Sequence, residues 1–199
     1  MAEDVAKNTA KNVGWPKIVS RRATRVSPWV EIVERGVEFT PGAKPDLYHA
    51  ISQTDYVAIV ALTPNGTIPI VRQYRPALET FTWELPAGTL DKDEQPADCC
   101  RRELLEETGF PAQTVHALGS YAPCTARLSN QIHTFFVETG PTTAPAIETG
   151  IEVKLVSPAE LAALILAREF VLQLHIGALL LAGMHGHIDM NIFRPPQRN

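Results

Sequence analysis

Long apolar runs are missing from this 199-residue chain. The longest, residues 171 to 184, contains Gln173 and His175 and is too short to span a bilayer as a helix, so no membrane partner is expected. Cysteine is scarce, and two of the three, Cys99 and Cys100, are neighbours while Cys124 stands apart. That spacing gives no disulfide framework, so free thiols in a reducing cytoplasm are expected. Basic excess is absent as well: 18 Lys and Arg face 22 Asp and Glu, a net charge of −4, which argues against a general nucleic-acid binder. Repeats and low-complexity blocks are also lacking. The first residues are polar and mixed in charge, unlike a signal peptide, and residues 1–18 read as a flexible tail.

What is present is an ordinary globular composition, 45% hydrophobic, in a chain long enough to bury one core. Residues 22–26 and 29–39 are strand-like, and Thr40-Pro41-Gly42 turns into a strand at 46–52. The apolar, β-branched runs 56–62 and 68–74 flank Pro64-Asn65-Gly66, a hairpin signal. Further strands are predicted over 81–85, 115–121, 131–138 and 151–156. Ser157-Pro158-Ala159-Glu160 is a capping box with Pro at the first helical position, predicting a helix to about 168, and 171–182 predicts another. Strands, one helix, more strands and late helices describe an α+β sandwich rather than a doubly wound sheet.

Chemistry concentrates between residues 88 and 110. Pro96 suits a helix start and Gly109 a helix stop. Between them Glu103, Glu106 and Glu107 share one region of the helix surface, where like charges repel by a few tenths of a kcal/mol per pair (about 0.2–0.5). Clustered hard oxygens point to a hard divalent cation, although a solvated acidic face has the same composition. Ala97, Cys100 and Leu104 form the apolar stripe expected to face the core, with Cys99, Glu103, Glu106 and Glu107 at its rim. Arg102 is the nearest cation and is expected to orient a carboxylate.

Gly88, Glu94, Arg102-Glu103, Glu106-Glu107, Gly109 and Phe110 match every fixed position of the Nudix hydrolase signature, and the chain resembles that family over residues 25–185. The resemblance implies a Nudix-type α/β/α sandwich with a mixed sheet over residues 55–199. Before it, residues 19–54 are expected to form an antiparallel β region that acts as a dimerisation arm. Val71-Arg72-Gln73-Tyr74-Arg75-Pro76 and Trp83-Glu84-Leu85-Pro86-Ala87-Gly88 resemble the ADP-ribose and ADP-sugar pyrophosphatase branch, as do Leu128-Ser129-Asn130 and Pro123. Where that branch usually has Pro-Gly, this chain has Pro123-Cys124.

From the resemblance follow roles. Glu103 and Glu107 are the principal ligands of two or three Mg²⁺ or Mn²⁺ ions, Glu106 shares the ions or holds a water, and Ala87 offers a carbonyl. The ions neutralise the diphosphate and activate water. Arg75 is the candidate diphosphate clamp, with an ion pair to Glu84 as its structural alternative. Arg72 and Glu84 complete the substrate-binding candidates, and Glu94 has a structural task. Trp29 is a candidate for stacking on the base, or else a core or interface residue. Relatives often place a glutamate where this chain has Thr149, so Glu148 or Glu152 is expected to serve as general base or extra ligand. His116, His133, His175, His185 and His187 do not form a metal cluster by spacing. The implied substrate is ADP-ribose, cleaved by a homodimer to AMP and ribose 5-phosphate. The alternatives are GDP-mannose, an oxidised purine nucleotide, or a non-catalytic sensing module.

Overall fold

A computed structural model describes residues 14–142 and 148–193. The tail expected over residues 1–18 lies mostly outside the described residues, and the first strand already begins at Lys17. Contacts divide the chain into two compact units. The smaller lies within Met1–Gln53 and Cys124–Asn130; the larger within Thr54–Pro123 and Gln131–Asn199.

In the smaller unit β1 (Lys17–Arg25), β2 (Glu31–Glu38) and β3 (Asp46–Ser52) form an antiparallel sheet in that order. The Cys124–Asn130 stretch joins it through Ile51, whose N–H donates to the Arg127 carbonyl at 2.7 Å. Ser129 N–H donates back to the Ile51 carbonyl at 3.1 Å. Trp29 lies in the turn between β1 and β2 rather than in a strand, and is 71% exposed. Ser27 and Pro28 break the extended run there: Ser27 Oγ accepts the Trp29 N–H at 3.2 Å, closing a local turn.

The larger unit is built around β4 (Tyr56–Leu62). It pairs in parallel with β9 (Ile132–Thr139) and antiparallel with β7 (Ala87–Thr89), and β8 (Ala112–Tyr121) closes the order β7-β4-β9-β8. A second sheet, β10-β5-β6, comprises Glu152–Val156, Ile68–Arg75 and Thr80–Glu84. Thus the sheet is mixed, as expected. The Pro64–Gly66 turn forms, with Gly66 N–H donating to Thr63 O at 2.9 Å, but it does not make the predicted hairpin. β4 and β5 part into different sheets because β9 and β7 occupy both edges of β4.

Side chains of β4 alternate between two cores, as strand geometry requires. Val57, Ile59 and Ala61 pack with Cys99, Cys100 and Leu104 of α1 (Pro96–Thr108). Val60 faces the other way, into a cluster with Leu161 of α2 (Pro158–Leu166) and Ala178, Leu179 and Ala182 of α3 (Gln173–Met184). Being covered on both faces, β4 is continuously apolar. This is the α/β/α layering inferred from the sequence. Truncating Leu104, fully buried in the α1 layer, to Ala costs about 2–5 kcal/mol by the usual scale of such cavities. Among the described residues no helix is long and apolar enough to cross a membrane.

Candidate active site

The helix α1 presents its carboxylates because its ends are fixed. Pro96 stands in its first turn, and Gly109, at φ 73°, closes it by donating its N–H to Leu105 O at 2.8 Å. The buried face differs from the expected stripe. Ala97 is exposed, whereas Cys99, Cys100, Glu103, Leu104 and Glu107 are buried. Cys99 takes the place foreseen for Ala97 because β7, unseen in the sequence, runs past this side of the helix: the Cys99 thiol lies 3.6 Å from Thr89 O. Glu103 and Glu107 are therefore not on an exposed rim.

Tight placement follows from the preceding loop. Ala87 N–H donates to Glu107 Oε2 at 2.9 Å. A side-chain carbon on Gly88 would overlap the Glu103 carboxyl group, so glycine at 88 is what allows Glu103 to lie against the strand. Arg102 then binds the remaining acids together. Its Nε and Nη2 donate to Glu94 Oε1 and Oε2, both at 2.9 Å, and its Nη1 donates to Glu103 Oε1 at 2.8 Å and Glu106 Oε2 at 3.1 Å. Glu94 also accepts the Asp91 N–H at 2.9 Å, and the Arg102 bonds bring its carboxyl down to about 2. That is the structural task expected of it.

Glu148 completes the cluster. Its N–H donates to the Glu106 carbonyl at 3.2 Å, and one carboxylate oxygen each of Glu103, Glu107 and Glu148 lie within 4.8 Å of one another. A cleft of about 450 Å³ opens beside them, lined by Arg102, Glu103, Glu106 and Glu148. Burial, the neighbouring Glu103 and Glu148 charges adding to it, pushes Glu107 up to about 8, and burial likewise raises Glu103. Such a set of carboxylates is short of positive charge. An all-oxygen donor set with this deficit suits a hard divalent cation, so the residues present fit the ions the signature implies.

Arg75 and Glu84 form the ion pair weighed as the alternative to a phosphate clamp, with Arg75 Nη2 and Nε donating to the two carboxylate oxygens at 2.6 and 2.8 Å. Thr82 Oγ1 also donates to Glu84, at 2.6 Å. The Arg75 Nη1 is not used by Glu84. A smaller cleft of about 240 Å³ is lined by Arg75, Glu84, Ala87, Gly88 and His175, among others. Arg72 and Glu152 instead meet each other across β5 and β10 at 3.2 Å, both substantially exposed. Glu152 is thus not one of the three clustered carboxylates, and Glu148 is.

Sequence reasoning left His175 without a role. It is fully buried on α3 and its Nδ1 accepts the Leu85 N–H at 3.0 Å, tying the helix to the run that leads into Ala87. Burial lowers it to about 4, so it is the neutral ring. An apolar helix carrying one histidine was the only available signal.

An acid-rich helix thus lies against the Gly88 strand, between a mixed sheet and a cleft, with three neighbouring carboxylates converging. The family model of the NUDIX domain matches residues 53–174, and the chain belongs to that family. It is similar to an ADP-ribose pyrophosphatase of Bacillus subtilis, 33% identical over 98 residues, covering 49% of this chain and 53% of that protein. An ADP-ribose pyrophosphatase of Mycobacterium tuberculosis is 51% identical over 63 residues, covering 31% of this chain and 30% of its own length. The chain therefore spans about half, or less, of these relatives. A crystal structure of an ADP compounds hydrolase shares the fold, with a TM-score of 0.74 at 20% identity, covering 87% of this chain and 97% of its own.

Proposed function

We propose that this protein is a divalent-metal-dependent hydrolase of the diphosphate bond in ADP-ribose and related ADP-sugars, releasing AMP and ribose 5-phosphate. The observation that carries the metal dependence is the convergence of Glu103, Glu107 and Glu148 within 4.8 Å. Glu103 and Glu107 hold the ions, with Glu106 and the Ala87 carbonyl beside them and Glu148 at the edge of the cluster. Mg²⁺ or Mn²⁺, two or three ions, would neutralise phosphate charge and polarise water. Arg102 fixes Glu103 and Glu106 in place, and Arg75, braced by Glu84, offers Nη1 to a phosphate oxygen. Glu148, on the exposed side of the cluster, is the better placed of the two candidates to take the proton from the attacking water.

The substrate reading is supported by the VRQYR and ELPAG runs and by the names of the relatives. Trp29, exposed at a turn, remains the candidate for stacking on the base, and a cytoplasmic homodimer is the working assembly. A panel of nucleoside diphosphate sugars with Mg²⁺, scored by release of nucleoside monophosphate, tests the reading. We expect kcat/KM to be highest for ADP-ribose. A preference for GDP-mannose or 8-oxo-dGTP would reject the substrate; no turnover of any nucleotide would reject the enzyme.

A further inference from the structure

Away from the carboxylates, in the same unit, three of the six histidines gather although their numbering gives no hint of it. His116 comes from β8, opposite Phe136 of β9. His185 and His187 come from the turn that ends α3. His116 and His187 ring centres are 4.7 Å apart and those of His185 and His187 are 6.4 Å apart. We propose that His116, His185 and His187 form a second metal site, for an imidazole-preferring ion of the Zn²⁺, Ni²⁺ or Cu²⁺ class.

The backbone of the turn is held for this. His185 N–H donates to Leu181 O at 3.0 Å and His187 N–H to Ala182 O at 2.9 Å. Gly186 between them has φ 79°, a left-handed conformation that lets both histidines leave the turn from one short span. Ile188, buried directly after, anchors its far side. The His187 ring is stacked on Phe136, centres 4.4 Å apart at 11°. It is thus a fixed ligand, while exposed His116 and His185 can turn toward it.

Size and charge agree with such an ion. With metal–nitrogen bonds of about 2.0–2.1 Å in a tetrahedral site, two ligating imidazoles have centres about 5 Å apart. The observed 4.7 and 6.4 Å lie on either side of that spacing for two of the three pairs. The imidazole nitrogens do not yet converge, and an ion would draw them together by turns about the side-chain bonds of exposed His116 and His185. Burial and the two neighbouring imidazoles keep His187 below its ordinary range, in the neutral form a metal requires. Glu138 of β9 acts on His187 with opposite sign and supplies a nearby negative charge. Nitrogen donors here and oxygen donors at the cleft sort ions by softness, so the two sites do not compete for Mg²⁺.

The test is Cu²⁺ added at one equivalent to the full chain in excess Mg²⁺, read by electron paramagnetic resonance. Nitrogen splittings from imidazoles are expected, with affinity falling at least about tenfold in H116N and in H185N, since losing even the hydrogen-bond partner of a ligand costs about 10–100-fold. Both residues are exposed, so these variants fold. Zn²⁺ should also raise the thermal midpoint of the wild type but not of H116N/H185N. Oxygen-only copper, or nitrogen splittings and affinity unchanged in both variants, would overturn the site.

Discussion

Arg75 grips Glu84 with two nitrogens, and Glu84 is almost completely buried while Arg75 reaches into a cleft. A guanidinium braced on one edge keeps the other edge for a phosphate at little entropic cost. Arg75→Ala should therefore lower kcat/KM ~100-fold and, by leaving a buried carboxylate unpaired, destabilise the fold by about 3–5 kcal/mol. Arg75→Lys should recover little, because one ammonium cannot serve both partners. Steady-state kinetics and urea denaturation of both variants check this; a lysine variant with wild-type kcat/KM would remove the clamp.

Glu106→Gln and Glu107→Gln should each cut kcat by at least ~100-fold, the scale of losing a key electrostatic group. Their stabilities should differ. Glu107 is buried with its carboxyl pushed up to about 8, so ionising it in the metal-free protein works against folding at neutral pH. Metal-free Glu107→Gln is thus expected to melt no lower than wild type, and Mg²⁺ should stabilise only the wild type strongly. Calorimetry with and without Mg²⁺ decides.

Gly88→Ala separates site from scaffold. Its new methyl group would meet the end of a movable side chain, Glu103, rather than backbone. The fold should survive with a midpoint within a few degrees of wild type (a change of about 1 kcal/mol or less), while apparent Mg²⁺ affinity drops about tenfold or more. Loss of folding together with activity would show that Gly88 serves the backbone instead.

The pH dependence of stability should carry the signature of His175. In the folded protein it titrates at about 4, below its ordinary 6.5, so the unfolded chain binds more protons in between. Stability from this residue is present above pH 6.5 and is lost as pH falls toward 4, amounting to roughly 3 kcal/mol. Denaturation of metal-free protein across that interval should show a slope that His175→Asn flattens, the amide oxygen still accepting from Leu85.

The assembly expected from the apolar first strands predicts light scattering at about twice 21.9 kDa. Deleting residues 1–39 should abolish both the dimer and turnover. A monomer at micromolar concentration that still hydrolyses ADP-ribose would exclude a shared site and leave the carboxylate chemistry intact.

Local signals carried much of this far. Pro96 and Gly109 delimit α1, Ser157 and Glu160 form the capping box that starts α2, and the run from Tyr56 to Leu62 is β4. What failed was non-local. Nothing in Pro64-Asn65-Gly66 reports that β9 will claim the edge of β4. Likewise, the i, i+3, i+7 rule placed Ala97 inward without knowing that β7 would cover Cys99. The carboxylates were legible as a group, but the choice between Glu148 and Glu152 depended on a backbone bond from Glu148 to Glu106. Trp29 read as part of a strand because the turn that holds it is closed largely by backbone bonds among Val26, Ser27 and Val30, which no side-chain pattern marks.

The smaller unit is stitched from two distant stretches, Ile51 taking a bond from one side and Arg127 and Ser129 answering from the other. No single cut point in the gene would release it. Swapping this unit between relatives would demand that residues up to 53 and residues 124–130 travel together, as a garment and its one button.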